Sequence, residues 1–152
     1  MALSIISWNC HGYRTHTDDI KDLINVYKPV CVGLQETLLN PTISPKIKHY
    51  NFNRKDNIQN ARATGGVALM HSTSFPVRNI NLNSPLQAVA IQIQINTLLT
   101  ICSIYLPPSE PIQQIELNKL VDELPGPFII MGDMNGTMSC GAVVTIMLGD
   151  YK

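Results

Sequence analysis

A chain of 152 residues, 45% apolar and 14% charged, is long enough and apolar enough for one domain with a real core, which excludes a disordered or low-complexity protein. Eleven basic and eleven acidic residues cancel, so no global field draws the protein to nucleic acid or to an anionic membrane. No apolar run reaches the length of a membrane span and no signal peptide precedes Trp8. Cys10, Cys31, Cys102 and Cys140 show no paired metal spacing, so a reducing compartment, nuclear or cytoplasmic, is expected.

In chain order, Leu3 to Trp8 reads as a short apolar strand ending at Asn9. Thr17 is placed to cap a helix near 18–28, Asp18 and Asp19 suit its positive end, and Ile20, Leu23, Ile24 and Tyr27 recur at helical spacing until Pro29. Val30 to Leu34 is a buried strand that delivers Gln35 and Glu36. Strand, helix, strand is a crossover unit, and its two polar ends emerge at one edge of a sheet. Residues 37–63 are loop-rich, with one short strand at Tyr50 to Asn53. Gly65 and Gly66 open a strand over Val67 to His71, and another lies around Val77 to Leu82.

From Gln87 to Ile95 the pattern alternates, with Val89, Ile91, Ile93 and Ile95 on one face. Asn96 and Thr97 connect this strand tightly to Leu98 to Tyr105, which predicts an antiparallel hairpin. Ser109 is placed to cap a second helix near 110–124, with Pro111 in its first turn and Leu117, Leu120, Val121 and Leu124 as its buried stripe. Phe128 begins a strand that runs into Asp133, and Asn135 shares a face with Asp133 if the strand persists. A mixed α/β sheet with helices on it follows.

Asn9, Glu36, Tyr105, Asp133 and Asn135 all end strands. Each has an ordinary use, in a turn, a cap or a half-buried phenol. Together they place carboxylates, carboxamides and a phenol at one sheet edge, where open sheets bind ligands. Carboxylates hold hard cations, and carboxamides donate to phosphate esters. Lys46, Lys48, Arg54, Lys55 and Arg62 are opposed in sequence only by Asp56, with Tyr50 and Phe52 between them. That cluster fits a solvated loop face or a phosphate-backbone patch, the latter reading making Arg54, Lys55 and Arg62 nucleic-acid contacts.

Five segments resemble, in order and spacing, the motifs of the endonuclease/exonuclease/phosphatase superfamily: Ile6-Ser7-Trp8-Asn9, Leu34-Gln35-Glu36-Thr37, Gly65-Gly66-Val67-Ala68-Leu69, Ile104-Tyr105-Leu106-Pro107-Pro108 and Gly132-Asp133-Met134-Asn135-Gly136. The nearer resemblance is to the endonuclease domains of non-LTR, LINE-like retrotransposons. It implies a two-sheet α/β sandwich with Mg²⁺ or Mn²⁺ held by Glu36 and supported by Asn9. By the same resemblance Tyr105 contacts the scissile phosphate, Asp133 orients or deprotonates the attacking water, Asn135 binds a phosphate oxygen, and DNA is the substrate.

The chain also departs from that pattern. Family members carry a late Ser-Asp-His-type motif, whereas residues 137–152 show none, and His11, His16, His49 and His71 all come earlier. The expectation is a partial domain over 1–136, the first half to two-thirds of the sandwich, followed by an atypical tail. Such a piece would have one bare apolar sheet face that favours self-association or completion by another chain. Nicking barely above background is expected, with Glu36→Ala changing little. A remnant that binds nucleic acid or a protein partner is the alternative, and a small-phosphoester phosphatase shares the chemistry.

Overall fold

A computed structural model describes residues 2–108, 113–133 and, as backbone, 142–147. Strand β1 (Ala2–Asn9) and strand β2 (Cys31–Gln35) pair in parallel, joined by helix α1 (Thr17–Tyr27). The expected cap at Thr17 is not formed. His16 holds the cap position without a side-chain bond, and the Thr17 hydroxyl donates back to the Tyr13 carbonyl at 2.9 Å, an alternative short hydroxyls often take. At the far end Lys28 turns left-handed and its N–H closes on the Ile24 carbonyl, just ahead of Pro29.

Strand β3 (Tyr50–Lys55) is followed by a small hairpin, β4 (Ile58–Gln59) and β5 (Arg62–Ala63), within the stretch whose sequence predicts loop. Its turn residues Asn60 and Ala61 both have positive φ, as the mirror-image two-residue turn requires. Alanine where glycine usually sits hides the signal. Then come β6 (Val67–Ser72), β7 (Val77–Ile80), β8 (Gln87–Gln94) and β9 (Leu98–Tyr105), the last two forming the expected antiparallel hairpin. Helix α2 (Gln114–Glu123) starts later than the sequence suggested, with Gln113 at its cap position; Ser109 and Pro111 lie outside the described residues. Strand β10 (Phe128–Asp133) returns parallel to β9, and β11 (Ala142–Met147) pairs antiparallel with β1.

The strands form two main sheets, ordered β11-β1-β2-β6-β3 and β10-β9-β8-β7. Their inner faces meet: Ile5, Cys31, Val67 and Leu69 pack against Val89, Ile91, Ile93, Ile101 and Met131. The outer face of the first sheet is covered by Ile20, Leu23 and Ile24 of α1, and that of the second by Leu117, Leu120 and Leu124. The architecture is therefore a two-sheet α/β sandwich with a helix on each outside. The expected bare sheet face is absent among the described residues, because strands β7 to β10 suffice to build the facing sheet. Every residue of β2 is buried, as expected of a strand covered on both sides.

Two polar contacts, the first buried and the second reaching the surface, set how the sheets lie on each other. The Gln35 amide donates to the Ser103 hydroxyl at 3.0 Å and reaches the Ser7 hydroxyl at 3.5 Å. The other begins at the buried ring of His71, whose Nε2 lies 2.6 Å from Asn53 Oδ1, while the Asn53 amide donates to Asn79 on β7 at 2.9 Å. Burial pushes the His71 pKa down. Gly33 allows the close approach of the sheets, since a Cβ there would lie 2.6 Å from the Met131 methyl. Gly132 serves within the second sheet, where a Cβ would collide with the carbonyl oxygen of Ile104 on the paired strand β9.

A flexible methyl can yield where a paired strand carbonyl cannot. Gly33→Ala is expected to cost about 1–3 kcal/mol. Gly132→Ala, which also needs a φ near +145°, should cost more than about 4 kcal/mol or prevent folding. Urea unfolding of the two variants checks the order. For His71, the unfolded imidazole takes up a proton near 6.5 while the folded one resists it. The contribution is full above about 6.5 and is lost as pH falls below it. His71→Gln should flatten that acid-side decline in unfolding free energy.

Candidate active site at the shared strand ends

The parallel pairs fix where the polar strand ends go. On β1 and β2, Asn9 lies beside Gln35, so Glu36 is the next residue out. On β9 and β10, Asp133 lies beside Tyr105. Both ends belong to one edge of the sandwich, because cross-links tie them. Gln87, paired with Tyr105, accepts the Gly66 N–H at 2.7 Å, and Lys55 donates to the Leu86 carbonyl at 2.8 Å and the Ser84 carbonyl at 3.1 Å.

Glu36 is held from two sides. The Asn9 amide donates to Glu36 Oε1 at 3.1 Å, and His11 Nδ1 lies 3.2 Å from Oε2. Asn9 in turn accepts the His11 backbone N–H at 3.2 Å, so the carboxamide orients the carboxylate and the loop after β1 together. The Glu36 side chain is 25% exposed and that of His11 52%, leaving the carboxylate open to a ligand from the solvent side. Cys10 is buried beneath them. Its pKa is pushed up to about 11, chiefly by burial and in small part by Glu36, so it stays a thiol at neutral pH.

The loop carrying Glu36 has an unusual backbone. Glu36 and Leu38 both have φ of 53°, and His11 has 49°, a region that side chains other than glycine rarely adopt. Hydrogen bonds hold it there. Thr37 N–H donates to the Gly66 carbonyl at 3.2 Å, Leu38 N–H to Gly65 at 2.9 Å, and Gly12 N–H to the Glu36 carbonyl at 2.8 Å. Gly66, with φ of 92°, must be glycine, because a Cβ there would sit 2.6 Å from the Thr37 hydroxyl. Strain locked by surrounding bonds is the kind found at ligand sites.

The other sequence candidates fall as follows. Tyr105 is buried at the end of β9 in the core between the sheets, and Asp133 ends the adjacent strand. Asn135 lies outside the described residues. The basic cluster is divided. Arg54 donates to the Asn40 carbonyl at 3.0 Å and pairs with Asp56 at 3.3 Å, and Lys55 is spent on the two carbonyls above. Both work within the fold, while Arg62 is exposed on the small hairpin. Sequence reasoning missed His11 and Gln87. His11 follows Asn9 by two residues, and that proximity was its only signal; nothing in the sequence around Gln87 points across to Gly66.

Glu36 supplies hard oxygen donors at an accessible edge, which suits a divalent cation such as Mg²⁺. Among the described residues no three His, Cys, Asp or Glu side chains cluster as a metal site, so water would complete the coordination. Asn9 as placed turns its amide N–H toward Glu36, and so it orients the carboxylate.

Residues 6–147 match the model of the Endonuclease/Exonuclease/phosphatase family. A search of curated proteins finds no match. Among solved structures, the endonuclease domain of TRAS1, a telomere-specific non-LTR retrotransposon, is 14% identical with a TM-score of 0.67, over 89% of this chain and 61% of that one. An AP endonuclease of Leishmania major is 14% identical with a TM-score of 0.67, over 88% of this chain and 55% of that one. The 3′ phosphatase NExo from Neisseria, solved with a product DNA hairpin, is 15% identical with a TM-score of 0.62, over 88% of this chain and 58% of that one. The chain thus spans little more than half the length of these structures, and at such identities the likeness shows the fold.

The grip of Gln87 on Gly66 leads to a measurable consequence. Gln87→Ala removes the acceptor that fixes the strand clamping the Glu36 loop. Loss of about 1 kcal/mol of local stability should speed amide exchange at Thr37 and Leu38 by roughly fivefold. Hydrogen exchange followed by NMR checks this, with α1 amides as the unaffected control.

Proposed function

The chain belongs to the Endonuclease/Exonuclease/phosphatase family, and from that premise we propose that it is a metal-dependent phosphodiesterase that nicks DNA at the Glu36 edge. The observation that carries this reading is the prebuilt grip on Glu36: one carboxylate, oriented by Asn9 and His11, in a strained and clamped loop. DNA is favoured over a small phosphoester by the likeness to a retrotransposon endonuclease domain and an AP endonuclease.

In this reading Glu36 would hold Mg²⁺ or Mn²⁺, and the ion would supply neutralisation of charge on the phosphoryl oxygens. Asn9 keeps the carboxylate turned outward. Asp133, at the end of the neighbouring strand pair, accepts a proton from the attacking water and aligns it, and Asn135 donates to a phosphate oxygen. Tyr105 braces the phosphate side of the cleft from the end of β9. His11, half exposed on the same carboxylate, is a further donor for the phosphoryl group.

The sequence-based expectation of a negligible Glu36 effect rested on the sparse ligand set and on the absence of the late histidine motif. The contacts of Glu36 with Asn9 and His11 support a larger share for it. The expected result is slow, Mg²⁺-dependent nicking of supercoiled plasmid that Glu36→Gln lowers by about tenfold or more. Circular dichroism confirms matched folding. Nicking with equal rates for both proteins would overturn the proposal. Retained DNA binding with no nicking in either protein would favour the alternative, a module that binds nucleic acid without cutting it.

A further inference from the structure

At the end of the first sheet away from Glu36, a cleft of about 890 Å³ opens between α1, the turn before β3 and the segment after β6. Pro29 and Val30, which lead into β2, line it, as do Tyr50 and Ser72, the paired ends of β3 and β6. Since β2 runs from this cleft to Glu36, its five residues separate the two by roughly 17 Å.

The rim carries Lys21, Lys28, Lys46 and Lys48, all exposed, and no residue lining the cleft is acidic. Among the described residues none of these four ammonium groups pairs with a carboxylate. Lys21 lies within α1 and Lys28 at its left-handed C-terminal cap. The walls are apolar and aromatic, with Tyr50 and Phe75 among them. The site is also built firmly. Tyr50 donates its hydroxyl to the Pro29 carbonyl at 2.6 Å, and its N–H closes a turn on Ile47 at 3.1 Å. His49 is held in that turn at φ of 71°, with its carbonyl accepting the Thr73 N–H at 2.9 Å.

An overall neutral chain that gathers four unpaired cations around an aromatic-walled cleft offers phosphate contacts and ring faces together. Those are the two components by which proteins hold single-stranded nucleic acid without reading its sequence. A duplex keeps its bases stacked and could use only the rim. We propose that this cleft binds a short single-stranded nucleic-acid segment, with phosphates on the lysine rim and a base against Tyr50 and Phe75. It lies apart from the Glu36 edge and is independent of the reaction proposed there.

The test is fluorescence anisotropy of a labelled oligothymidylate of about ten nucleotides, titrated with the full chain in EDTA across a range of salt. EDTA separates this outcome from that of the metal-dependent reaction. The double variant Lys46→Glu/Lys48→Glu is expected to bind at least about tenfold more weakly, and its log–log salt slope to shrink by about 1.4, near 0.7 for each lost phosphate contact. Lys21→Gln/Lys28→Gln, exposed in α1 and at its C-terminal cap, should shrink the slope comparably and guards against a local effect of the first pair on its turn. Unchanged affinity and slope in both variants would overturn the proposal. So would a duplex of equal length bound as tightly and weakened equally by the same substitutions.

Discussion

The amide of Gln35 resting on the hydroxyl of Ser103 is the contact on which the working edge depends. It is buried, so an unpaired partner would be costly, and it joins the end of a strand in one sheet to the matching level of the other. Apolar packing between the sheets tolerates sliding, because Ile91 or Leu69 has no single preferred neighbour. A hydrogen bond does not. With Gln35 fixed, the residue after it leaves the sheet at a set height, and Glu36 arrives level with the ends of β9 and β10. The glycine at position 33, two residues earlier, permits this depth of approach.

Much of this was legible in the sequence because the strands obey simple patterns. The alternation from Val89 to Ile95, the run of β2 and the stripe of α1 each follow from burying apolar side chains on a known period. The parallel pairings could be anticipated from strand-helix-strand order, and with them the meeting of Asn9 and Glu36. What could not be read was pairing between segments remote in sequence. Gln87 looks like any polar residue in an alternating strand, yet it holds Gly66, 21 residues away. Lys55 and Arg54 look like free cations and are consumed by backbone carbonyls and Asp56. The small hairpin was missed because Ala61 adopts a conformation for which its side chain gives no hint. The start of α2 was misplaced because proline and serine signals mark where a helix is permitted, while packing of Leu117 and Leu120 decides where it begins.

Backbone strain in this protein is unevenly distributed. His11, Glu36 and Leu38, with Gly65 and Gly66 against them, concentrate left-handed conformations at the edge that carries the carboxylate. Away from it, positive φ occurs at the helix stop Lys28, in the small hairpin, and at His49, which shapes the lysine-rimmed cleft. Both candidate binding regions therefore use backbone geometry that a less constrained chain would relax. Each is held by hydrogen bonds to a neighbouring strand or turn.

The two outer helices never share a cluster: α1 packs with Ile6, Val32 and Met70, and α2 with Ala90, Cys102 and Ile104, with no residue common to both sets. For sequence change over evolutionary time this is a form of modularity. A substitution under one helix can be compensated locally, by a volume change on that helix, without consulting the other side of the molecule. Only the interior between the sheets, and the few polar groups crossing it, must change in concert. Such an architecture can lose nearly all pairwise identity and still keep its fold, as 14% identity at a TM-score of 0.67 illustrates.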